Sequence, residues 1–419
     1  MDHVPRKKVL PATGVNSWQL RAALSAGIYY LTFYFCKYNL GPATPGIQKE
    51  FHFSSETFGW VTTIFTLVYA AGQFINGFLG DRFGPKTIMI IGGIGGIIAN
   101  VLFGSSSTLN FFILFWMINA YFSSTGWSTG CRIMFNWFPE NRWGQWIGIY
   151  NGLCYFGAGI VVSFTGYVIA KMGWRGAFFI PPMFMLAMLI MFIFLGKNSP
   201  QDAGFEPEWE QKKPLTKKKV NAQDYLAALL HPKMNLAYLA GVGDNFVRWG
   251  LMSWMVKILY EPVKDGGFGM PIAIAGLTAS LMHYGGAFFS VILGVITDRV
   301  FKGQRWQTVA AGFFIAAGAL FVIAKGASIG ILALGIALFL SGGLIQAVQT
   351  PLFALAGDIM GQERGATTVG IMDGWMYVGA SLSGVFLGYI LDTHGLLAGV
   401  SLMGGVSLVC GFVSILIRR

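Results

Sequence analysis

The amino-acid sequence predicts an all-α membrane protein of twelve transmembrane helices, arranged as two pseudo-symmetric six-helix bundles. Three observations lead there. Of 419 residues, 54% are hydrophobic and 11% charged, and the mean hydropathy is +0.59, values that soluble domains do not reach. Apolar runs long enough to cross ~30 Å of hydrocarbon recur along the whole chain. One charged stretch, 196–233, divides those runs six and six.

In chain order, the opening cytoplasmic segment 1–21 starts with a polar and basic stretch, Met1 to Ser17, that is broken by Pro5 and Pro11 and lacks an apolar core ahead of a cleavage site. The first span is therefore expected to act as its own insertion signal. The N-terminal bundle, 22–195, holds spans at Ala22–Ile47, Phe58–Leu79, Thr87–Phe103, Phe111–Phe135, Gln145–Ala170 and Ala177–Leu195. In the third of these, Gly92, Gly93, Gly95 and Gly96 lie in an apolar helix without a following Lys-Ser or Lys-Thr, so close helix packing is expected rather than a phosphate loop. The linker 196–233 carries Lys212, Lys213 and Lys217 to Lys219 near Glu206, Glu208 and Glu210 and reads as a solvated cytoplasmic connection. The C-terminal bundle, 234–419, holds spans at Met234–Tyr260, Pro271–Ile296, Thr308–Ile323, Ile329–Pro351, Thr367–Leu391 and Leu397–Ile417.

Charge placement sets the orientation. If the N-terminus is cytoplasmic, Lys49, Lys171, Arg175, Lys257, Lys264 and Lys325 fall outside, and nearly all other Lys and Arg residues fall inside. That asymmetry places both termini in the cytoplasm of a multi-pass protein of the cell inner (plasma) membrane. The formal net charge of +11 sits in short loops, so it reflects topology and gives no reason to expect nucleic acid. Cys36, Cys131, Cys154 and Cys410 lie in apolar segments without ligand or disulfide spacing, which predicts free, buried thiols and no metal or other cofactor.

Charges inside the spans carry the functional information. Arg248, about fourteen residues into the seventh span, costs on the order of 3 kcal/mol at that depth unless it faces protein, water or a counter-charge. Asp244, four residues earlier, shares its face and is the nearest candidate counter-charge. Lys37 lies about fifteen residues into the first span. Helices starting on the same side thus carry their cations at equal depth, the arrangement a two-repeat carrier needs to hold an anion at the repeat interface.

A repeat is also visible in short motifs. Gly77-Phe-Leu-Gly-Asp81-Arg82-Phe-Gly84-Pro-Lys86 follows the second span, and Gly294-Val-Ile-Thr-Asp298-Arg299-Val-Phe-Lys302-Gly303 follows the eighth. The glycines admit a neighbouring helix, the aspartates can meet a helix end in the other half, and the basic residues hold the loop at the surface. Both motifs resemble the cytoplasmic loop motif of the major facilitator superfamily, at both expected positions. Spans four and five, with Gly126-Trp127, Arg132, Asn136-Trp137-Phe138, Arg142-Trp143-Gly144, Tyr150-Asn151 and Gly157, resemble the organophosphate:phosphate antiporter family. Lys37-Tyr38-Asn39 resembles that family's Arg-Lys-Asn stretch, and Arg248-Trp249-Gly250 with Trp254 resembles its Arg-Tyr-Gly with a downstream tryptophan. The resemblance implies a major facilitator fold, with Lys37 and Arg248 flanking a substrate phosphate.

Several positions depart from that pattern. Lys37 replaces an arginine fork with a mobile point charge. Cys154 stands where glycerol-phosphate carriers have histidine, Met372 where hexose-phosphate carriers have lysine, and His283 where either has glutamate. Ile371-Met372-Asp373-Gly374 is similar instead to a run in eukaryotic sugar-phosphate exchangers.

The candidate substrate-binding residues are Lys37, Tyr38, Trp127, Asn151, Arg248, Trp254, His283 and Tyr377, with helix packing as the competing role for each aromatic. Asp81, Arg82, Arg132, Asp244, Asp298, Arg299 and Asp373 are candidates for gating or coupling. Asp373 could equally line the cavity, and His283 could couple protons or hydrogen-bond in its neutral form. The expected function is exchange of a small phosphorylated organic anion for inorganic phosphate by alternating access, by a monomer in the bilayer. A proton-coupled carboxylate symporter and a non-transporting sugar-phosphate sensor are the alternatives; no enzyme motif appears.

Overall fold

The computed structural model describes residues 8–10, 16–139, 142–208, 229–299, 304–360 and 365–418. The first half comprises α1 (Ser17–Phe35) and α2 (Leu40–Phe51), α3 (Ser55–Phe83), α4 (Pro85–Gly104), α5 (Leu109–Ser123) and α6 (Thr125–Trp137), α7 (Trp143–Met172) and α8 (Gly176–Leu195). The second comprises α9 (Pro232–Tyr260), α10 (Ile272–Arg299), α11 (Arg305–Ile323), α12 (Gly330–Met360), α13 (Gly365–His394) and α14 (Leu396–Leu416). Twelve spans result, because α1 with α2 and α5 with α6 each make one broken crossing. An even number of crossings brings both termini to one end of the bundle, called here the terminal end; the opposite end is the distal end.

Two expected continuous spans are therefore interrupted, Ala22–Ile47 at residues 36–39 and Phe111–Phe135 at Ser124. The first break has a clear cause. The Cys36 carbonyl accepts from the amides of Asn100 (3.0 Å) and Asn119 (2.8 Å), while Asn39 donates to Asn100 and to the Ala177 carbonyl, both at 2.8 Å. Side-chain donors replace the helical ladder, so the freed backbone stays satisfied inside the bilayer.

Among the described residues, eight helices are long and apolar enough to cross a membrane by composition alone. The first, second, fourth and seventh spans fall short of that measure. They are broken or carry polar residues, as segments that line a cavity can.

Local chemistry fixes several helix ends. Asn16 caps α1, its side chain accepting from Trp18 N while Gln19 accepts from Asn16 N. Ser54 caps α3 through Thr57 N at 3.0 Å. Pro85 opens α4 directly after Gly84, whose φ of 88° sets the turn. Close packing at the third-span glycines is as expected, since a Cβ on Gly95 would lie 2.3 Å from the Phe122 ring. All four cysteines are free and buried.

A feature without a sequence signal joins the first half to the linker. Strand β1 (Lys8–Leu10) pairs in parallel with β2 (Phe205–Pro207), and Leu10 is fully buried. The lysines at 212–219 lie outside the described residues.

The halves meet along α7 against α10 and α3 against α13, with α2 on α9 between them. Polar contacts between the halves cluster toward the distal end. Lys257 Nζ donates to Ser55 Oγ at 2.6 Å, Glu56 N to Asp392 Oδ2 at 2.7 Å, and Thr63 Oγ1 to the Ser381 carbonyl at 2.7 Å. Between them, Gly59 and Gly384 bring α3 and α13 into backbone contact: a Cβ on Gly59 would lie 2.6 Å from the Gly384 carbonyl oxygen.

Candidate functional site

A cavity of about 440 Å³ lies between the halves and takes wall residues from both, with Lys37 and Arg248 opposite in chain origin but lining the same space. The two intramembrane cations of the sequence thus line one shared cavity. On the distal side the space narrows to about 30 Å³ beside Lys37, Thr44 and Thr62. A separate groove of about 510 Å³ at Leu239, Phe246, Phe386 and Val409 is wholly apolar and offers nothing to orient an anion.

Lys37 sits in the break between α1 and α2, which the asparagine cluster holds open. Its ammonium is 4.1 Å from the Tyr69 ring centroid, 5.1 Å from Trp249, 5.4 Å from Tyr34 and 5.5 Å from Tyr38. Ring faces attract a desolvated cation by roughly 0.5–2 kcal/mol each. The expected mobile point charge is thus a confined one, kept from snorkelling to an interface. Trp249 belongs to the second half, so the enclosure is complete only when the halves approach.

Arg248 is held by hydrogen bonding. Its Nη1 donates to Gln349 Oε1 at 2.6 Å and its Cζ lies 5.6 Å from the Tyr155 ring centroid, while the buried Nε has no protein partner. Most of a five-donor fork therefore remains for an anion. Asp244 does not bond Arg248 directly. Gln349 stands between, its Nε2 donating to Asp244 Oδ2 at 3.0 Å and to Asn245 Oδ1 at 2.8 Å. The carboxylate thus acts through the amide dipole and orients the guanidinium without covering it. Among the described residues, neither Lys37 nor Arg248 has a carboxylate within 4 Å.

Trp127, Asn151 and Tyr377 line the cavity, and so does Asp373, for which the sequence left gating and cavity roles open. Trp127 is stacked at 5.8 Å on Tyr150, which is itself anchored by its hydroxyl on the Gly126 carbonyl. Tyr38 touches the narrow distal space and stacks on His283 at 5.5 Å.

Two expected binding residues are placed elsewhere. Trp254 is fully buried and spends its indole N–H on the Ser383 carbonyl at 3.0 Å, bracing α9 against α13. His283 lies behind Tyr38 with Nδ1 at 3.2 Å from Gln346 Oε1. Because the Gln346 amide nitrogen is committed to the Met282 and Gly342 carbonyls, its oxygen faces His283 and Nδ1 must donate. An imidazole that carries a proton on Nδ1 is what this geometry requires.

Of the gating candidates, Asp244 and Asp373 lie at the cavity, while Arg82 and Arg132 lie toward the terminal end. Arg82 is exposed, with its guanidinium 5.4 Å from the Phe83 ring, and Arg132 is exposed on α6. The side chains of Asp81, Asp298 and Arg299 lie outside the described residues, although their backbones close α3 and α10.

The sequence gives no role to Tyr69, Gln349, Asn100 or Asn119, and it marks Asn39 and Trp249 only as members of the Lys37-Tyr38-Asn39 and Arg248-Trp249-Gly250 motifs. The only available signal was an uncharged amide in an otherwise apolar span, which marks Asn100, Asn119 and Gln349 alike. Replacing Asn100 with alanine is expected to cost about 1–3 kcal/mol, read as a lower Tm of the purified protein, because Cys36 O and Asn39 each lose a buried partner.

Comparison with known proteins agrees with this architecture. The sequence profile described as Major Facilitator Superfamily matches residues 26–384. The chain is 25% identical over 408 residues to the "Probable hexose phosphate transport protein" of Chlamydia trachomatis serovar D, covering 90% of this chain and 86% of that one. It is 26% identical over 394 residues to the "Glycerol-3-phosphate transporter" of Bacillus subtilis strain 168, covering 89% and 87%. Its fold matches the crystal structure of a bacterial homolog of the human lysosomal transporter Spinster in an inward-facing, occupied conformation, with TM-score 0.77, 16% identity, and 97% and 98% coverage. Twelve crossings in two halves, a cavity between them and a profile match over most of the length have one reading: this chain belongs to the Major Facilitator Superfamily of membrane transporters, as a distant relative of its sugar-phosphate and glycerol-3-phosphate carriers.

Proposed function

We propose that this protein is a secondary active transporter of a bacterial inner membrane, with both termini cytoplasmic, that exchanges a small phosphorylated organic anion for inorganic phosphate. One observation carries the reading. Lys37 and Arg248, one from each half, face a single cavity, and among the described residues no carboxylate lies within 4 Å of either.

The charges supply the mechanism. Two cations in a closing, low-dielectric cavity are costly to carry alone, and a bound dianion neutralises both. Reorientation of the loaded carrier is then favoured over that of the empty one. Binding also draws the halves together, since the anion bridges Lys37 of the first to Arg248 of the second. The distal contacts describe a carrier closed on that side, and alternating access requires them to part. His283 is engaged with Gln346 and stacked on Tyr38 and does not line the cavity, which counts against the proton-coupled carboxylate reading.

The test is uptake of labelled phosphate into proteoliposomes with and without internal phosphate. Saturable uptake that needs internal phosphate and is competed by sugar phosphates is expected. A pH-gradient requirement without exchange would select the carboxylate symporter, and binding without flux the sensor.

Asp244 modulates this behaviour through Gln349. Asp244→Asn keeps an acceptor for the Gln349 amide but removes the negative charge behind Arg248. Tighter phosphate binding and slower efflux into phosphate-free medium are expected, because the empty site becomes more positive. Unchanged affinity and efflux would remove Asp244 from the coupling.

A further inference from the structure

We propose that the cavity contains a second subsite of opposite sign at Asp373, and that the organic substrate is a zwitterion: a phosphorylated compound bearing an ammonium group on a short arm. This rests on the reading of Lys37 and Arg248 as the anion site.

Asp373 lines the same cavity as both cations and is partly exposed to it. Among the described residues its carboxylate has no hydrogen-bond partner and no cation within 4 Å. The other acid of the site, Asp244, is fully buried and tied to Gln349. Asp373 is thus a free carboxylate in a space that admits anions. Its charge is coupled across the cavity to Arg248 and Lys37 but contacts neither, so it repels a plain phosphate ester and attracts a cargo that brings a positive group to meet it.

The walls beside Asp373 suit such a group. Tyr377 lies one turn along α13 and packs against Tyr69 of the other half at 5.6 Å between ring centroids. Tyr69 already holds one ammonium, that of Lys37, at 4.1 Å. A carboxylate flanked by phenol rings is a general solution for binding an ammonium ion, through charge and the ring quadrupole together. A cavity of about 440 Å³ leaves room for a molecule with both poles.

The experiment compares two competitors of equal backbone, 2-aminoethyl phosphate and ethyl phosphate, against labelled phosphate in counterflow by the full-length protein. The ammonium compound is expected to inhibit about tenfold more strongly, the scale of one charge-assisted hydrogen bond. Asp373→Asn should weaken 2-aminoethyl phosphate and tighten ethyl phosphate, a crossing pattern that a merely structural role does not produce. Asp373→Glu should keep the preference, which guards against a variant that only folds poorly. Equal inhibition by both compounds in the wild type, or a preference that survives Asp373→Asn, would overturn the subsite while leaving the anion site standing. Absence of any Arg248-dependent phosphate counterflow would overturn the anion site and the subsite together.

Discussion

Replacing Arg248 with alanine is expected to lower phosphate counterflow by a hundredfold or more, in a protein that still inserts and purifies as a single species. The guanidinium is the strongest donor set facing the cavity, with Nη1 fixed by Gln349 and the buried Nε unpartnered. Truncating one side of a buried, hydrogen-bonded charge pair costs about 2–5 kcal/mol, and the anion loses both charge and geometry. The Gln349 oxygen is also left without its donor. Arg248→Lys should fall between wild type and alanine, because it restores charge but not the fork. Measured initial rates of labelled phosphate exchange decide the matter; counterflow at wild-type rates in Arg248→Ala would place the anion elsewhere.

The second large effect concerns movement rather than binding. Gly59→Val puts a side chain where the Gly384 carbonyl oxygen is 2.6 Å from the Cβ position and Val385 Cα is 2.8 Å away. Both obstacles are backbone, so no rotamer change relieves them. α3 and α13 must separate, and the Thr63–Ser381 and Glu56–Asp392 bonds beside them stretch with them. Overpacking of this kind costs about 1–3 kcal/mol, enough to shift the balance by about 5- to 150-fold toward a distally open carrier. Transport should fall accordingly. A cysteine at buried Thr62, which lines the narrow distal space, should react faster with an impermeant maleimide in the Gly59→Val background. Normal exchange and unchanged labelling would mean that this contact does not control closure.

These two positions differ in how readily the sequence discloses them. Arg248 is conspicuous because a charge inside an apolar run is expensive, and position along the run reports depth. Gly59 is one glycine among 57, and only the neighbouring helix gives it meaning.

The same division holds for the whole molecule. The sequence by itself determined the twelve crossings, their division six and six, the shared placement of Lys37 and Arg248, and kinship with phosphate-ester carriers. The first three follow from one-dimensional signals, since the bilayer sets span length and desolvation makes every intramembrane charge stand out; the kinship rests on the resemblance of short motifs such as Arg248-Trp249-Gly250.

Only the tertiary structure decided which aromatic residues matter. Tyr69 and Trp249 enclose Lys37 while Trp254 braces a helix pair, although all three are large rings in apolar spans. It decided that Gln349 separates Asp244 from Arg248, that Asn100 and Asn119 break the first span at Lys37, and that His283 meets Gln346 and Tyr38. Hydrogen bonds and ring contacts join residues far apart in the chain, and burial looks alike in sequence whether a side chain faces another helix or a substrate. The partner, not the residue, carries that information, and partners exist only once the helices have packed.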